Sequence, residues 1–329
     1  MIDAGLLITL ERTGEGMRPV FEMTRGADPG RLFTGRSAAA TAALVPLIFN
    51  LCSAAQERAA RGALGLPCAG GEATIRQEHL RDHALCLGVT WPALLGEGPD
   101  NELLSLVADY GTGRASAAAL RDHLLGTPMD DGPLTLPRLE RLMAGGATAF
   151  LRLLAAVRTR LRPHWGRAAL PAPSPADIAD HLTGRRVALR ETTARDAVAG
   201  HPLLRALEAG EGRSLFARMV ARLLDFLRVL DPAAVFAPAS RPLPGVGVAT
   251  AVRGLVGHFA ELRDERVAAY RLVTPTDWNT APGGILAQVL AALPAAGDLP
   301  FLARLAVSCV NPCVPTTIAI DGARYPAHA

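Results

Sequence analysis

Hydrophobic positions recur at helical spacing along most of the 329-residue chain. Apolar residues three and four apart are typical of an amphipathic helix. A first helix is predicted from Ser37, with an interruption at Pro46, and a second from Ser53 to about Leu64. Further helices are predicted at about 72–87, 100–108, 115–125, 135–161, 175–183, 202–208, 212–230, 283–293 and 298–308. The chain is therefore predicted to be mainly helical.

Two segments instead carry short apolar runs bounded by turn residues. Residues 5–24 place such runs on both sides of a Gly-Glu-Gly turn, which predicts a β-hairpin. Residues 245–274 contain three runs, which predict a β-meander. We assign the chain to the α+β class, mainly α with small antiparallel β pieces. We expect one domain over residues 1–329, since no internal repeat divides the chain.

Charge and hydropathy narrow the class of protein. The net charge is +3 with acids and bases mixed, which argues against a dedicated nucleic-acid surface. Half of the residues are hydrophobic, but no run reaches the roughly 18 apolar residues of a membrane span. The first residues carry no secretory signal pattern. We therefore expect a cytoplasmic protein with no membrane span.

The five cysteines offer thiol or metal chemistry, because disulfides are uncommon in the cytoplasm. They lack the C-x-x-C spacing of a zinc site. Cys52 comes directly before a predicted capping box formed by Ser53 and Gln56. A helix N-terminus there would lower the pKa of the thiol and favour a thiolate that binds a soft metal. The alternative is a small buried apolar residue.

Cys313 lies between Pro312 and Pro315, which stiffen the loop and fix the direction of its side chain. Cys309 lies four residues earlier, and we interpret it as a helix-packing residue. No role is assigned to Cys68 or Cys86.

Other polar residues occur in apolar or helical surroundings. Arg253 follows an apolar run and needs a partner if it is buried. A surface pairing with Glu261 or Asp264 is the alternative. His79 and His83 share one helix face and could form a metal pair. We interpret them instead as packing or hydrogen-bonding residues.

Several of these residues lie in motifs that resemble the large subunit of nickel–iron hydrogenases. Residues 251–258 resemble A-P-R-G-x-x-x-H, residues 274–279 resemble V-P-T-T-W-N, residues 311–316 resemble D-P-C-x-x-C, and residues 49–52 resemble C-G-x-C. The resemblance implies a shortened large-subunit fold. It implies Cys52 and Cys313 as metal ligands, and a pocket for the cyanide and carbonyl ligands of iron. The pocket residues would be Arg253, Pro275 and Thr276, with an ordinary turn threonine as the alternative for Thr276.

The motifs also depart from the family. Phe49 and Thr316 occupy two of its four cysteine positions, so hydrogen turnover is not expected. The remaining pattern is similar to hydrogenase expression/formation proteins of the HupK type. That resemblance implies a non-catalytic scaffold that transiently holds an Fe(CN)2CO fragment, without nickel. Implied partners are a maturation chaperone, the iron-ligand assembly protein and the hydrogenase large-subunit precursor. Two alternatives stay open, a degenerate hydrogenase-like enzyme and a metal-free interaction module.

Overall fold

The computed structural model describes residues 5–14, 16–24, 26, 28–67, 71–126, 132–236, 243–295 and 297–327. Its strands are β1 (Gly5–Thr13), β2 (Gly16–Thr24), β3 (Val246–Ala251), β4 (Gly254–Arg263), β5 (Arg266–Val273), β6 (Thr316–Ile320) and β7 (Ala323–Pro326). Its helices are α1 (Pro29–Phe33), α2 (Ala38–Ile48), α3 (Ser53–Ala63), α4 (Glu72–Leu85), α5 (Trp91–Leu94), α6 (Asn101–Gly111), α7 (Ala117–Leu125), α8 (Leu136–Gly145), α9 (Ala149–Arg160), α10 (Pro175–Leu182), α11 (Ala194–Ala197), α12 (Pro202–Glu211), α13 (Leu215–Val229), α14 (Pro275–Asn279), α15 (Ile285–Ala291) and α16 (Leu299–Val310). A π-helical turn, Cys86–Thr90, joins α4 to α5.

The predicted fold class, mainly helical with small β pieces, is confirmed. The hairpin is formed by β1 and β2, and the meander by β3, β4 and β5. The sequence prediction missed β6 and β7, which extend the hairpin to a sheet of order β2-β1-β6-β7. The pairing of β1 with β6 is parallel and adds one parallel pair to the predicted antiparallel pieces. The five residues of β6 give too short a pattern to reveal this long-range pairing. The single-domain assignment stays a prediction.

Two helix predictions also need correction. The helix predicted over 135–161 is divided into α8 and α9, which meet at 104°. Gly146 ends α8 in the left-handed conformation, with φ of 59°, which a glycine adopts without strain. Pro46 does not interrupt α2, which continues to Ile48 and is closed by the Phe49 amide donating to Val45. Among the described residues, no single helix is long and apolar enough to cross a membrane, and α8 with α9 passes that test only as a bent pair.

The main core lies against the four-stranded sheet. Alternate residues of β1 (Leu6, Ile8 and Leu10) and of β6 (Ile318 and Ile320) are buried there, with apolar residues of α13, α15 and α16. Full burial of such a side chain contributes about 1.5–3 kcal/mol. This packing fixes α16, and with it the loop that carries Cys313.

Close contact between α3 and the β3–β5 meander determines the position of Cys52. A Cβ at Gly247 would lie 1.9 Å from the Ala59 backbone oxygen, so only glycine lets the helix approach β3 so closely. Around this contact the two elements share a cluster of small apolar residues that includes Ala55 and Ala251. The N-terminus of α3, with Cys52, therefore lies beside the end of β3, two residues before Arg253.

Candidate functional site

Cys52 is itself the N-cap of α3, and the predicted capping box of Ser53 and Gln56 is wrong. A carboxylate from α4 occupies the helix N-terminus instead. The Ser53 hydroxyl and the Ala54 amide donate hydrogen bonds of 2.9 and 2.8 Å to one oxygen of Glu78. The Gln56 amide nitrogen lies 3.6 Å from the Cys52 Sγ and donates to it. A long-range capping residue of this kind leaves no local sequence signal.

The pKa of the Cys52 thiol is raised, contrary to the sequence expectation. Burial raises it to about 12, and the neighbouring Cys313 adds to the effect. The Glu78 carboxylate at the helix N-terminus also raises it, which opposes the effect of the helix amides. Cys52 is therefore a protonated thiol at neutral pH until a metal or a cation displaces the proton.

We expect Cys52 to react slowly with iodoacetamide at pH 8, because the thiolate is the reactive species. An unfolded thiol has a pKa of about 8.5. The raised pKa in the folded state therefore contributes stability below that pH, and this stability is lost as the pH rises towards 12. Mass spectrometry of alkylated peptides, native against urea-unfolded, measures the difference. Equal rates at Cys52 in both states would contradict the raised pKa.

Cys313 lies in the loop between α16 and β6 and is bound to Thr276 of α14. The Cys313 amide donates to the Thr276 Oγ1 at 2.9 Å, and the Thr276 hydroxyl donates to the Cys313 Sγ, also at 2.9 Å. Thr276 can be oriented in this way because Thr274 and Asp277 form a capping box that begins α14. The predicted contact of Thr276 with the pocket is thus made through the sulfur of Cys313.

Two spaces are lined by both Cys52 and Cys313. The inner one is a cavity of about 20 Å³. Its lining residues are Leu51, Cys52, Gln56, Ala251, Val252, Arg253, Thr274, Pro275 and Cys313. The outer one is an open cleft of about 680 Å³, which Cys52, Cys313 and Thr276 also line. The structure therefore brings Cys52, Cys313, Arg253 and Pro275 together at one small cavity, with Thr276 at its outer side.

Arg253 is buried and pairs with an acid that the sequence analysis did not identify. Its Nη2 lies 2.5 Å from the Asp82 Oδ1, and the two side chains are 13% and 11% exposed. The alternative of a surface pair with Glu261 or Asp264 is therefore wrong. The Arg253 Nε is buried without a hydrogen-bond partner among the described residues. Arg253 also lines the inner cavity.

Asp82 is the centre of a buried polar network behind Arg253. Its second oxygen accepts hydrogen bonds from Arg222, at 3.3 Å, and from Asn311, at 3.0 Å. Burial would raise the pKa of Asp82, but the two guanidinium groups overcome this effect and hold the pKa well below its usual range. Asn311 has a positive φ of 57° at the end of α16, two residues before Cys313. Asp82 thus links the Arg253 turn to the Cys313 loop.

The buried residue Thr192 connects α14 to the start of β4, next to Arg253. The Asn279 side chain pairs with both backbone groups of Thr192, at 3.0 and 2.6 Å. The Thr192 hydroxyl accepts the Leu255 amide at 2.8 Å. A Cβ at Gly254, whose φ is +126°, would lie 2.2 Å from that hydroxyl, so the turn after Arg253 requires glycine. The sequence did not reveal these contacts of Thr192, because its partners are more than 60 residues away along the chain.

The two positions at which the related motifs carry further cysteines hold no metal ligand here. Phe49 ends α2 and lines the outer cleft, with its ring 6.3 Å from that of His258. Thr316 begins β6, and its hydroxyl donates to the Val314 carbonyl at 3.0 Å. Cys86 and Cys309 are buried elsewhere in the main core. Cys68 lies outside the described residues. Among the cysteines that the structure describes, two therefore offer their thiols to the site.

Comparisons with known proteins agree with this architecture. The nickel-dependent hydrogenase family matches residues 181–288. The hydrogenase expression/formation protein HupK of Rhodobacter capsulatus is 36% identical over 92% of this chain and 94% of its own. HupK of Azotobacter vinelandii is 31% identical over 88% and 90%. The fold is similar to the reduced Ni-Fe-Se hydrogenase from D. vulgaris Hildenborough, with a TM-score of 0.57 at 14% identity over 92% and 94% of the two chains.

Proposed function

The chain belongs to the family of hydrogenase expression/formation proteins named HupK, and from this premise we propose that it is a non-catalytic scaffold in hydrogenase maturation that transiently holds an Fe(CN)2CO fragment. Its relatives are named for hydrogenase formation, which supports the maturation role. The iron fragment is the cargo of the protein, bound through Cys52 and Cys313 and passed on to a partner.

The observation that carries this proposal is the convergence of two cysteines and a buried cation on one cavity. Thiolates are soft ligands suited to iron with cyanide and carbonyl ligands. The free Nε of Arg253 is a buried, charged donor, and metal-bound cyanide is an acceptor for such a donor. Cys52, Cys313 and Arg253 come from three separate parts of the chain and line the same cavity.

The size of the two spaces limits how the fragment can be held. A cavity of about 20 Å³ accommodates roughly one water-sized group. We infer that iron lies at the boundary between the cysteines, with one diatomic ligand directed inward to Arg253 and Pro275. The outer cleft of about 680 Å³ holds the rest. Two thiolates and an open cleft permit release, whereas four thiolates would enclose a bimetallic centre.

The cleft also gives partners access to the cargo. Leu51 adjoins Cys52 at the mouth and is 50% exposed. We propose that the maturation chaperone, the iron-ligand assembly protein and the hydrogenase large-subunit precursor approach from this side.

Metal analysis of the protein isolated from cells with an active maturation pathway tests this function. We expect iron to co-purify without nickel, because Phe49 and Thr316 supply no thiolate for a second metal. A Cys52→Ala, Cys313→Ala double variant prepared in parallel is the control and should contain neither metal. Iron and nickel in equal amounts, with hydrogen uptake, would refute the scaffold and favour a degenerate enzyme.

A further inference from the structure

Three buried side chains lie between helices α4 and α13, and all three are of residue types that commonly bind metal ions. His79 and His83 lie on one face of α4, and Asp225 lies on α13. One ligand atom from each of the three lies within 4.8 Å of the others. This cluster is separate from the cysteine site, and the proposed scaffold function does not use it.

His79 is buried, and its two ring nitrogens are poorly satisfied by the described residues around them. The side chain is 1% exposed, and neither ring nitrogen has a hydrogen-bond partner of standard geometry among the described residues. A hydrogen-bond contact with the Thr250 backbone raises the pKa of His79, but burial is the larger effect and lowers that pKa to about 4. Buried polar atoms without partners are uncommon in folded proteins, and binding an ion is one way in which such atoms become satisfied.

The other two ligands are already close to a coordinating arrangement. The His83 Nε2 lies 2.9 Å from the Asp225 Oδ2. Two ligand atoms of a tetrahedral zinc ion lie about 3.3 Å apart. The His83 Nε2 and the Asp225 Oδ2 would therefore need to move apart only slightly to bind the ion. His79 precedes His83 by one helical turn, a spacing that points two imidazoles at the same ion.

We propose that His79, His83 and Asp225 bind one divalent transition metal ion of the zinc class. Two imidazole nitrogens and a carboxylate suit Zn²⁺ and other borderline ions, and they do not suit Mg²⁺ or Ca²⁺, which prefer oxygen ligands. The ion connects α4 to α13. Asp82, the partner of Arg253, lies on α4 between the two histidines in sequence, so the ion also braces the wall of the cysteine site.

Arg228 is the group with which the ion competes. Its Nε donates to the Asp225 Oδ1 at 2.8 Å, and its Nη2 is buried without a partner among the described residues. Its positive charge beside Asp225 opposes a bound cation, and the side chain is 23% exposed, so it can turn towards solvent when the ion binds. Arg222 contacts the His83 Nδ1 at 3.4 Å, and it shares the carboxylate of Asp82 with Arg253, so its charge is only partly compensated.

Titration of the chelator-treated Cys52→Ala, Cys313→Ala protein with Zn²⁺ and Co²⁺ tests the site apart from the cysteine centre. We expect one bound ion, a rise in melting temperature, and a Co²⁺ spectrum without a thiolate charge-transfer band. His79→Gln and Asp225→Asn should weaken binding by at least ~10–100-fold. His164→Gln, far along the chain and exposed, is the matched control and should bind normally.

Arg228→Met keeps the test decisive if the ligand variants fold poorly. Removal of the competing cation should tighten zinc binding, whereas a purely structural ion pair predicts only a loss of stability. No saturable binding to the folded protein, or weaker binding to Arg228→Met, would overturn the proposal. Iron and zinc are then measured separately in the iron-loaded wild type. Iron reports on the cysteine site and zinc on the site of His79, His83 and Asp225, so the failure of one proposal can be distinguished from the failure of the other.

Discussion

We expect Cys52→Ala and Cys313→Ala each to lose the iron fragment and to fail to support hydrogenase maturation. With one of two thiolates removed, the fragment keeps a single protein ligand at the edge of an open cleft. Loss of an outer partner of a metal ligand already costs 10–100-fold in affinity, so loss of a ligand should cost more than ~100-fold. Iron content of the purified variants and hydrogenase activity in complemented cells measure the two effects.

Cys86→Ala is the matched control, because it removes a thiol of the same chain that is buried in the main core away from the inner cavity. It should retain the fragment, as should Cys68→Ala. Equal loss of iron from Cys86→Ala and Cys52→Ala would show that the defect reflects folding and would remove the assignment of the two ligands.

Asp82→Asn should destabilise the protein by about 3–5 kcal/mol, the usual cost of breaking a buried ion pair by removing one partner. Arg253 and Arg222 then lose the charge that compensates both of them. Asn311 loses a charged acceptor, so the Cys313 loop is also held less firmly. Urea unfolding followed by circular dichroism measures the change in the free energy of unfolding.

Asp109→Asn is the surface control for this prediction. Asp109 pairs with Arg114 at 2.6 Å, but the two side chains are 40% and 67% exposed. Exposed pairs contribute about 0–1 kcal/mol, so this change should be small. Similar losses from both variants would mean that the Asp82 network is not a buried electrostatic centre.

Local sequence patterns predicted the longer helices and the two β segments, because each depends on neighbouring residues, but they missed the short helices α1, α5, α11 and α14. The hairpin β1–β2 is one example, formed across a glycine-containing turn. The parallel strand β6 pairs with β1 across more than 300 residues, and its own five residues carry too little signal. The break between α8 and α9 could have been predicted from Gly145 and Gly146, since glycine commonly ends helices.

The residues of the candidate site could be predicted from sequence motifs, but the charges and pKa values around them could not. Cys52 at a helix N-terminus predicted a lowered pKa, and burial together with Glu78 from another helix reverses that expectation. Asp82 lies in α4 between two histidines, and nothing local distinguishes it from a surface aspartate. Its role comes from the burial of Arg222 and Arg253 around it. Charges that meet only after folding are the part that sequence patterns do not reveal.

Infrared spectroscopy of the protein isolated from maturation-competent cells tests the central claim most directly. Metal-bound cyanide and carbonyl absorb where no protein group does. We predict cyanide and carbonyl bands in the wild type, shifted cyanide bands in Arg253→Lys because the planar fork of the guanidinium is lost, and no bands in the Cys52→Ala, Cys313→Ala double variant. Wild-type protein that forms stable complexes with its maturation partners yet never shows these bands would contradict the scaffold and support a metal-free interaction module.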